Sequence, residues 1–323
     1  MKTTTLGSDG PVVGVIGLGC MGMTHAYDPA GRDDETSIGV LHRAVELGVT
    51  LIDTADVYGP YTNEELVGRG LAGIRDRVVL ATKVGLETKP EGERGAGMRA
   101  MRFNGKPEHV RRSIDESLRR LGTDHVDLYQ LHRVDPEVPV EETWGALAEV
   151  VAAGKARRIG LSEVSVEEIK RAQAVHPVAS VQSELSLWTR DALAEVVPYC
   201  NAQGIAFLPF SPLGRGFLTG NFATVDDLPE GDWRRGLPRF QADAIAANQA
   251  LVAAVRAIAD RLGATPAQVA LAWVRAQGEY VVPIPGTKTP KYLADNAGAS
   301  DVVLSAADLA DLDALPAPEG TRY

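Results

Sequence analysis

The sequence predicts an α/β fold: a (β/α)8 barrel with an N-terminal β-hairpin and an extra C-terminal helix. Two observations carry this. One unit recurs, an amphipathic helix, then glycine, then a short apolar strand: "HRAVELG-VTLIDTAD", "SLRRLG-TDHVDLYQLH", "EVVAAG-KARRIGLS", "YCNAQG-IAFLPFS" and "VRAQG-EYVVPIPG". Eight strand candidates, near residues 13–18, 49–53, 78–84, 125–131, 157–162, 179–184, 205–210 and 280–285, alternate with helices along the 323 residues. Strands such as "VTLID" and "VVLATKV" are apolar almost throughout, as strands covered on both faces are. No linker or low-complexity tract interrupts the pattern, so residues 1–323 read as one domain.

Each element has a local cause. "TTTLGSDGPVVGV" reads as a hairpin turning around Ser8-Asp9-Gly10 and plugging the barrel floor. Gly48, Gly122, Gly154, Gly204 and Gly278 mark helix ends, because glycine enters the left-handed conformation without a Cβ clash. Thr62-x-x-Glu65 and Ser165-x-x-Glu168 are capping boxes; Thr265-Pro266 and Thr289-Pro290 place a cap before proline at the first helical position. "SAADLADLDAL" is the extra helix, capped by Ser305. Two long loops, 85–106 and 212–241, have the length of functional or mobile segments.

Composition narrows the function classes. A net charge of −10 and a pI near 5.2 argue against a nucleic-acid partner, which needs a concentrated basic face. Arg111-Arg112, Arg119-Arg120 and Arg157-Arg158 are short and interleaved with acids. Two cysteines, Cys20 and Cys200, build neither a disulfide framework nor a cysteine-based zinc site. "MKTTTLGSDG" lacks the apolar core of a signal peptide, and no apolar run of about 18 residues offers a membrane span, so the cytosol is the expected compartment. No pattern sets an oligomeric state.

"VGVIGLGCMG" spells G-x-G-x-x-G at Gly17, Gly19 and Gly22. A dinucleotide-binding turn runs straight into a helix whose N-terminus faces the pyrophosphate. Here "MTHAYDPAGRDD" follows, with Pro29 and Gly31 breaking any helix, and the acids Asp33 to Glu35 start a helix instead of ending a second strand. The glycines are better read as letting the first strand pass close to a ligand over the barrel mouth.

Barrel chemistry sits at the C-terminal strand ends. The second strand ends with Asp53, Asp56 and Tyr58, the third with Lys83 and the fourth with His132, Arg133 and Asp135. The fifth ends with Ser162 and Glu163, and the sixth with Gln182 and Glu184. Lys83 lies in an apolar strand, where a charge needs a partner, and Asp53 on the adjacent strand supplies it. His125 opens its strand at the barrel floor and is discounted.

The runs "GVTLIDTADVYGPYTNEELVGRGL", "VVLATKVG", "DLYQLHRVDP" and "RIGLSEVS" resemble the aldo-keto reductase superfamily, and within it the bacterial and plant branch of perakine- and pyridoxal-reductase-like enzymes. The likeness covers essentially the whole chain, in order. It implies an NADPH-binding (β/α)8 barrel that reduces a small-molecule aldehyde or ketone to an alcohol. The implied tetrad is Asp53, Tyr58, Lys83 and His132, with Tyr58 as acid, its pKa lowered by Lys83. The implied cofactor residues begin with Gly19, Met21 and Asp53 along the first strands. Ser162 and Gln182 would hold the carboxamide, with Glu163 standing where many members have Asn. Phe210 would stack on the nicotinamide. Ser211, Leu213, Gly214 and Arg215 would lie along the pyrophosphate. Gly286, Thr287, Lys288, Asp295 and Asn296 would meet the adenosine end, with Lys288 at the 2′-phosphate. Tyr292 departs from the pattern, since many members carry an arginine there; Arg215, Lys291 and Arg234 are the cations available to compensate. Cys20, Met21, Met23, Tyr27 and Trp188 are candidates for the substrate pocket. Met98, Met101 and Phe103 form either an apolar lid or simple loop packing. Two other classes fit parts of the pattern: a Schiff-base aldolase using Lys83, and an NADPH-binding sensor like the potassium-channel β-subunits.

Overall fold

In the computed structural model, which describes residues 1–89 and 100–322, β1 (Thr3–Thr5) and β2 (Val12–Gly14) form the antiparallel hairpin, Thr3 opposite Gly14 and Thr5 opposite Val12. Its turn is wider than Ser8-Asp9-Gly10 alone: the Leu6 N–H donates to the Pro11 carbonyl at 2.9 Å, and Gly7 takes φ 81°. Parallel strands β3 (Leu18–Gly19), β4 (Leu51–Asp53), β5 (Val79–Val84), β8 (Val126–Leu131), β9 (Ala156–Ser162), β10 (Ser180–Glu184) and β11 (Ala206–Phe210) pair in that order as a seven-stranded sheet. Between β5 and β8, β6 (Leu86–Thr88) and β7 (Met101–Phe103) form a separate antiparallel ribbon. Helices α1 (Asp34–Leu47), α2 (Thr62–Leu71), α3 (Pro107–Leu121), α4 (Val140–Ala152), α5 (Val166–Gln173) and α6 (Val196–Gln203) connect the barrel strands in turn. After β11 come α7 (Ala242–Leu262), α8 (Pro266–Arg275), α9 (Pro290–Gly298) and α10 (Ala306–Asp313).

An extended segment, 280–286, closes the barrel between β11 and β3. Val282 and Ile284 donate to the carbonyls of Phe207 (2.9 Å) and Pro209 (3.0 Å), while Gly17 and Gly19 donate to those of Pro283 (2.9 Å) and Pro285 (3.2 Å). The eighth position is thus less regular than the strand expected at 280–285, because its two prolines accept bonds but have no N–H to return. The predicted strand at 13–18 also divides: Val12–Gly14 belongs to the hairpin and Leu18–Gly19 to the barrel. Glycine makes the seam possible. A Cβ on Gly17 would lie 2.9 Å from Ile284 Cγ2 and 3.1 Å from the Leu51 carbonyl oxygen, and one on Gly19 3.0 Å from that of Ile284. The glycines of the G-x-G-x-x-G run that lie on the seam therefore close a barrel, and only short turns at Met21–Met23 and Pro29–Gly31 precede α1.

Alternation along the strands sorts the side chains into two layers. Leu51, Val79, Ala81, Leu128, Ala206, Leu208, Val282 and Ile284 fill the interior, joined by Leu6 and Val13 of the hairpin at the floor. Ile52, Leu80, Tyr129, Leu131, Ile159, Leu161 and Phe207 face outward into the helices. One step further along the same inward rows stand Asp53, Lys83, Gln130 and Gln182. The interior is therefore apolar at the floor and polar at the mouth.

Gly48, Gly122 and Gly204 cap their helices at φ 82°, 64° and 65°, and Gly154 follows α4 at 75°. Gly278 does not: α8 ends at Arg275 with Ala276 as its C-cap, and a Cβ on Gly278 would lie 2.1 Å from Asn201 Oδ1, so close packing explains that glycine. The Ser165–Glu168 box and the Thr265 and Ser305 caps form. The Thr62 box does not, because Thr62 already lies inside α2 and donates to the Gly59 carbonyl at 3.2 Å. Thr289 precedes α9 without a side-chain cap. Among the described residues α7 is long and apolar enough to cross a membrane; Ile245, Leu251, Val252, Val255 and Ile258 on it are buried in the outer core. The 212–241 loop is anchored by Phe217 and Phe240, both packed on Trp188 at ring separations of 4.4 and 5.4 Å. Met98 lies outside the described residues; Met101 packs with Val57, Leu86 and Tyr58, and Phe103 is exposed.

Gly17→Ala is expected to lower the unfolding free energy by about 1–3 kcal/mol through overpacking at the seam. Gly22→Ala, whose new Cβ would meet only Tyr27 at 3.4 Å, should stay within about 0.5 kcal/mol of wild type. Urea unfolding of both variants checks this.

Candidate active site

Lys83 organises the mouth. Fully buried at the top of β5, its ammonium donates to Asp53 Oδ1 at 2.5 Å, the Thr54 carbonyl at 2.8 Å and the Tyr58 hydroxyl at 3.3 Å. The other Asp53 oxygen accepts from Gln182 Nε2 at 2.9 Å and Gln130 Nε2 at 3.2 Å. Burial alone would push the lysine pKa down, but Asp53 and Tyr58 more than offset this and raise it. Such a lysine is a fixed cation with its donors occupied, which removes it as a Schiff-base nucleophile.

Tyr58 stands on the β4–α2 connection. Burial raises its phenol above the usual 10.0 while Lys83 pulls the other way, so burial outweighs the lowering expected from the lysine. The hydroxyl is protonated at neutral pH. His132, just beyond β8, sets its ring edge-on to Tyr58 at 5.7 Å. It is buried, its Nδ1 has no hydrogen-bond partner among the described residues, and burial, Arg133 and Lys83 hold its pKa well below 6.5. The imidazole is therefore neutral. Asp135 lies further out, accepting from the Gly105 N–H at 2.9 Å. His125 is at the far end of β8, bonded to Asp124.

Two residues not singled out from the sequence complete this cluster. Gln130 is one inward step before His132, a place that strand alternation from His132 points to. Asn63 is buried at the start of α2, donating to the Cys20 carbonyl (2.9 Å) and Thr24 Oγ1 (2.7 Å) and accepting from Thr54 Oγ1 (2.6 Å). It fastens the first loop to the turn carrying Tyr58, and no local pattern announces such a long-range staple.

The remaining candidates continue around the rim. Ser162 ends β9 and accepts from Arg133 at 3.1 Å. Phe210 ends β11, half-buried. Beyond it the backbone turns repeatedly through the left-handed region, at Ser211 (48°), Gly214 (57°), Arg215 (56°) and Gly216 (94°), with Leu213 half-buried between. Gly286 bridges to Gly19 across the seam, Met21 opens a short turn beside it, and Thr287 accepts from the Thr289 N–H at 3.1 Å. Lys288 pairs with Asp28, 3.0 Å from its carboxylate and 2.8 Å from its carbonyl. Asp295 accepts from Thr265 Oγ1 at 2.9 Å, tying α9 to α8, and Asn296 is buried beside it. Tyr292 is exposed. A surface cleft of about 800 Å³ along α2, lined by Asp34, Glu65, Arg69 and Arg120 among others, includes none of these candidates.

The sequence profile of the aldo/keto reductase family matches residues 15–317. This chain belongs to that family. A probable aldo-keto reductase of Glycine max is 45% identical over 328 residues, covering 100% of this chain and 92% of that protein. The glycerol dehydrogenase of Gluconobacter oxydans superimposes with a TM-score of 0.83 at 28% identity, covering 96% of this chain and 94% of that one. An aldo/keto reductase from Klebsiella pneumoniae, crystallised with NADP and acetate, gives 0.72 at 30% identity, covering 99% and 97%.

Aldo-keto reductases are NADP-dependent oxidoreductases, and the mouth of this one offers features that fit such a dinucleotide. His132 Nδ1, without a partner among the described residues, is a buried polar atom that a substrate or cofactor can satisfy. The repeated left-handed turns between Ser211 and Gly216 are the kind of backbone that gathers N–H groups into an anion-sized concavity. Cys20 and Cys200 are buried, and burial raises both thiols, that of Cys200 to about 12, so neither is a reactive thiol.

A histidine held neutral in the folded state binds fewer protons than in the unfolded chain. Stability is therefore expected to fall as pH drops below 6.5 and to be flat above it on this account. His132→Gln should remove part of that slope. His25 and His109, also depressed by burial, keep the remainder. Unfolding curves between pH 5 and 8 measure the difference.

Proposed function

We propose that this aldo-keto reductase uses NADPH to reduce an aldehyde or ketone to an alcohol, with Tyr58 as general acid. We place it in the perakine- and pyridoxal-reductase-like branch, as one domain over residues 1–323 working in the cytosol. The observation that carries the catalytic reading is the three-way contact of buried Lys83 with Asp53, the Thr54 carbonyl and Tyr58, beside a neutral His132. Relatives from Klebsiella pneumoniae crystallised with NADP and with NADPH support the cofactor.

The bound cofactor supplies the hydride. The chain's own groups do the rest. Tyr58, protonated because burial holds its pKa up, passes its proton to the carbonyl oxygen as charge develops there. The Lys83 ammonium, 3.3 Å away, stabilises the phenolate left behind. Asp53 keeps Lys83 charged and fixed, and Gln130 and Gln182 keep Asp53 in place. The neutral imidazole of His132 donates its one N–H to the same oxygen and orients the carbonyl.

Ser162, Gln182 and Phe210 would surround the nicotinamide. Gly19, Met21 and Asp53 would border it, and Ser211, Leu213, Gly214 and Arg215 would follow the pyrophosphate. Gly286, Thr287, Lys288, Asp295 and Asn296 would take the adenosine end. In this structure Gln182 is engaged with Asp53 and Lys288 with Asp28, so a carboxamide or a 2′-phosphate has to share or replace an existing partner.

Tyr58→Phe should abolish reduction of 4-nitrobenzaldehyde, followed by NADPH absorbance, while leaving the NADPH dissociation constant nearly unchanged. An active variant would remove Tyr58 as the acid. Lys288→Ala should weaken NADPH more than NADH, and Asp28→Asn, which removes the carboxylate paired with Lys288 but keeps its carbonyl bond, should strengthen NADPH selectively. Fluorescence titrations with both nucleotides decide, and equal effects on the two would take Lys288 out of the 2′-phosphate site.

A further inference from the structure

Two carboxylates end neighbouring strands at the mouth. Glu184 closes β10 and is buried; Glu163 follows β9 and accepts from the Glu184 N–H at 3.0 Å. Glu163 also has φ 55°, a left-handed conformation that non-glycine residues seldom adopt without compensation. The compensation comes from far along the chain. The Arg322 guanidinium lies 2.7 Å from Glu163 Oε2 and, through Nε, 2.5 Å from Glu184 Oε2, and its centre is 5.5 Å from the Phe210 ring centroid. Arg215 adds a second contact to Glu184 at 3.1 Å.

The segment that delivers Arg322 is fastened at several points. Glu319 exchanges two bonds with the Asn248 side chain of α7, at 2.9 and 3.1 Å. Arg239 donates to the Gly320 carbonyl at 3.1 Å, and Arg215 to that of Arg322 at 3.3 Å. Gly320 has φ 89°, and a Cβ there would lie 3.2 Å from the Arg239 backbone. Arg239 and Arg215 both belong to the 212–241 loop, so the segment, the loop and the ends of β9, β10 and β11 form one connected edge of the mouth.

We propose that Arg322 is a positioning residue for the cofactor: it bridges Glu163 and Glu184 and covers Phe210, fixing the spacing of Ser162, Gln182 and Phe210. This rests on the reading that those three residues surround the nicotinamide. The guanidinium suits the task because its planar fork meets two carboxylates at once, which a lysine ammonium does with less geometric control. Without Arg322 the two carboxylates face each other with Arg215 on one of them only, and the strand ends separate or take up a proton.

The test uses the full chain and measures the NADPH dissociation constant by fluorescence, with kcat and KM for 4-nitrobenzaldehyde. Arg322→Met is expected to raise the dissociation constant about tenfold or more, as loss of a charge-assisted contact does. Arg322→Lys should recover part of that loss. Adding Glu163→Gln to Arg322→Met should restore affinity, because the carboxylate needing the counter-ion is gone; a merely structural anchor gives no such rescue. Wild-type affinity in Arg322→Met overturns the proposal. So does tighter binding, which would mean that Arg322 obstructs the site. If Arg322→Met does not fold, Arg322→Lys carries the comparison: an affinity equal to wild type overturns the bidentate role. A wild-type protein that fails to bind NADPH removes the functional reading itself, an outcome distinct from any difference between variants.

Discussion

The ion pair between Lys83 and Asp53 is the constraint on which the mouth of this barrel depends. An ammonium with no exposed surface is tolerated only with its donors occupied, and losing a partner from such a pair costs about 3–5 kcal/mol. The requirement reaches beyond two residues. Lys83 is on β5 and Asp53 on β4, while Gln130 from β8 and Gln182 from β10 converge on the second Asp53 oxygen. Four strand ends are thereby held at the lengths of hydrogen bonds around one carboxylate. The same pair sets the local electrostatics: it keeps the lysine charged next to Tyr58, and the lysine in turn helps keep His132 neutral.

The apolar floor is what allows so much polarity above it. Leu6 and Val13 of the hairpin close the interior below Leu51, Ala81 and Leu128, so apolar side chains lie beneath the ion pair. Electrostatic contacts there act in a medium of low dielectric, where misplacement is costly and good geometry is worth more. The closing seam serves the same end. Pro283 and Pro285 give up half of their ladder bonds, and Gly17 and Gly19 compensate by letting the backbones come into contact.

The parts of the fold and site legible in the sequence were those governed by short-range rules. Helix–glycine–strand periodicity located the barrel strands, and the apolar run around Lys83 announced a buried cation whose partner had to be on an adjacent strand. Asp53, Tyr58, Lys83 and His132 do meet at one end of the barrel, as their strand-end positions required. What local pattern did not reveal was everything decided by distant contacts. Asn63, Gln130 and Arg322 act across separations of 43, 77 and 138 residues. Thr62 and Gly278 carried the right residue types for caps, yet a neighbouring turn and the Asn201 side chain determined what they do. The balance of burial against charge at Tyr58 was likewise invisible without the packing around it.

An acidic chain that takes up a polyanion needs its cations held ready without attracting ions indiscriminately. On the proposed reading the rim achieves this by pairing. Lys288 rests on Asp28, Arg215 on Glu184, and Arg234 on Asp232, which also accepts from the Asp28 N–H at 3.4 Å. Each cation is already in place, with its side-chain entropy largely lost, so a phosphate meets an ordered group. What binding gains is then the difference between a phosphate and a carboxylate as partner, a difference that favours the more highly charged group and the backbone cradle beside it. On the proposed reading Asp28 is as much a part of nucleotide discrimination as Lys288, because the strength of the resting pair would set the threshold that a 2′-phosphate has to exceed.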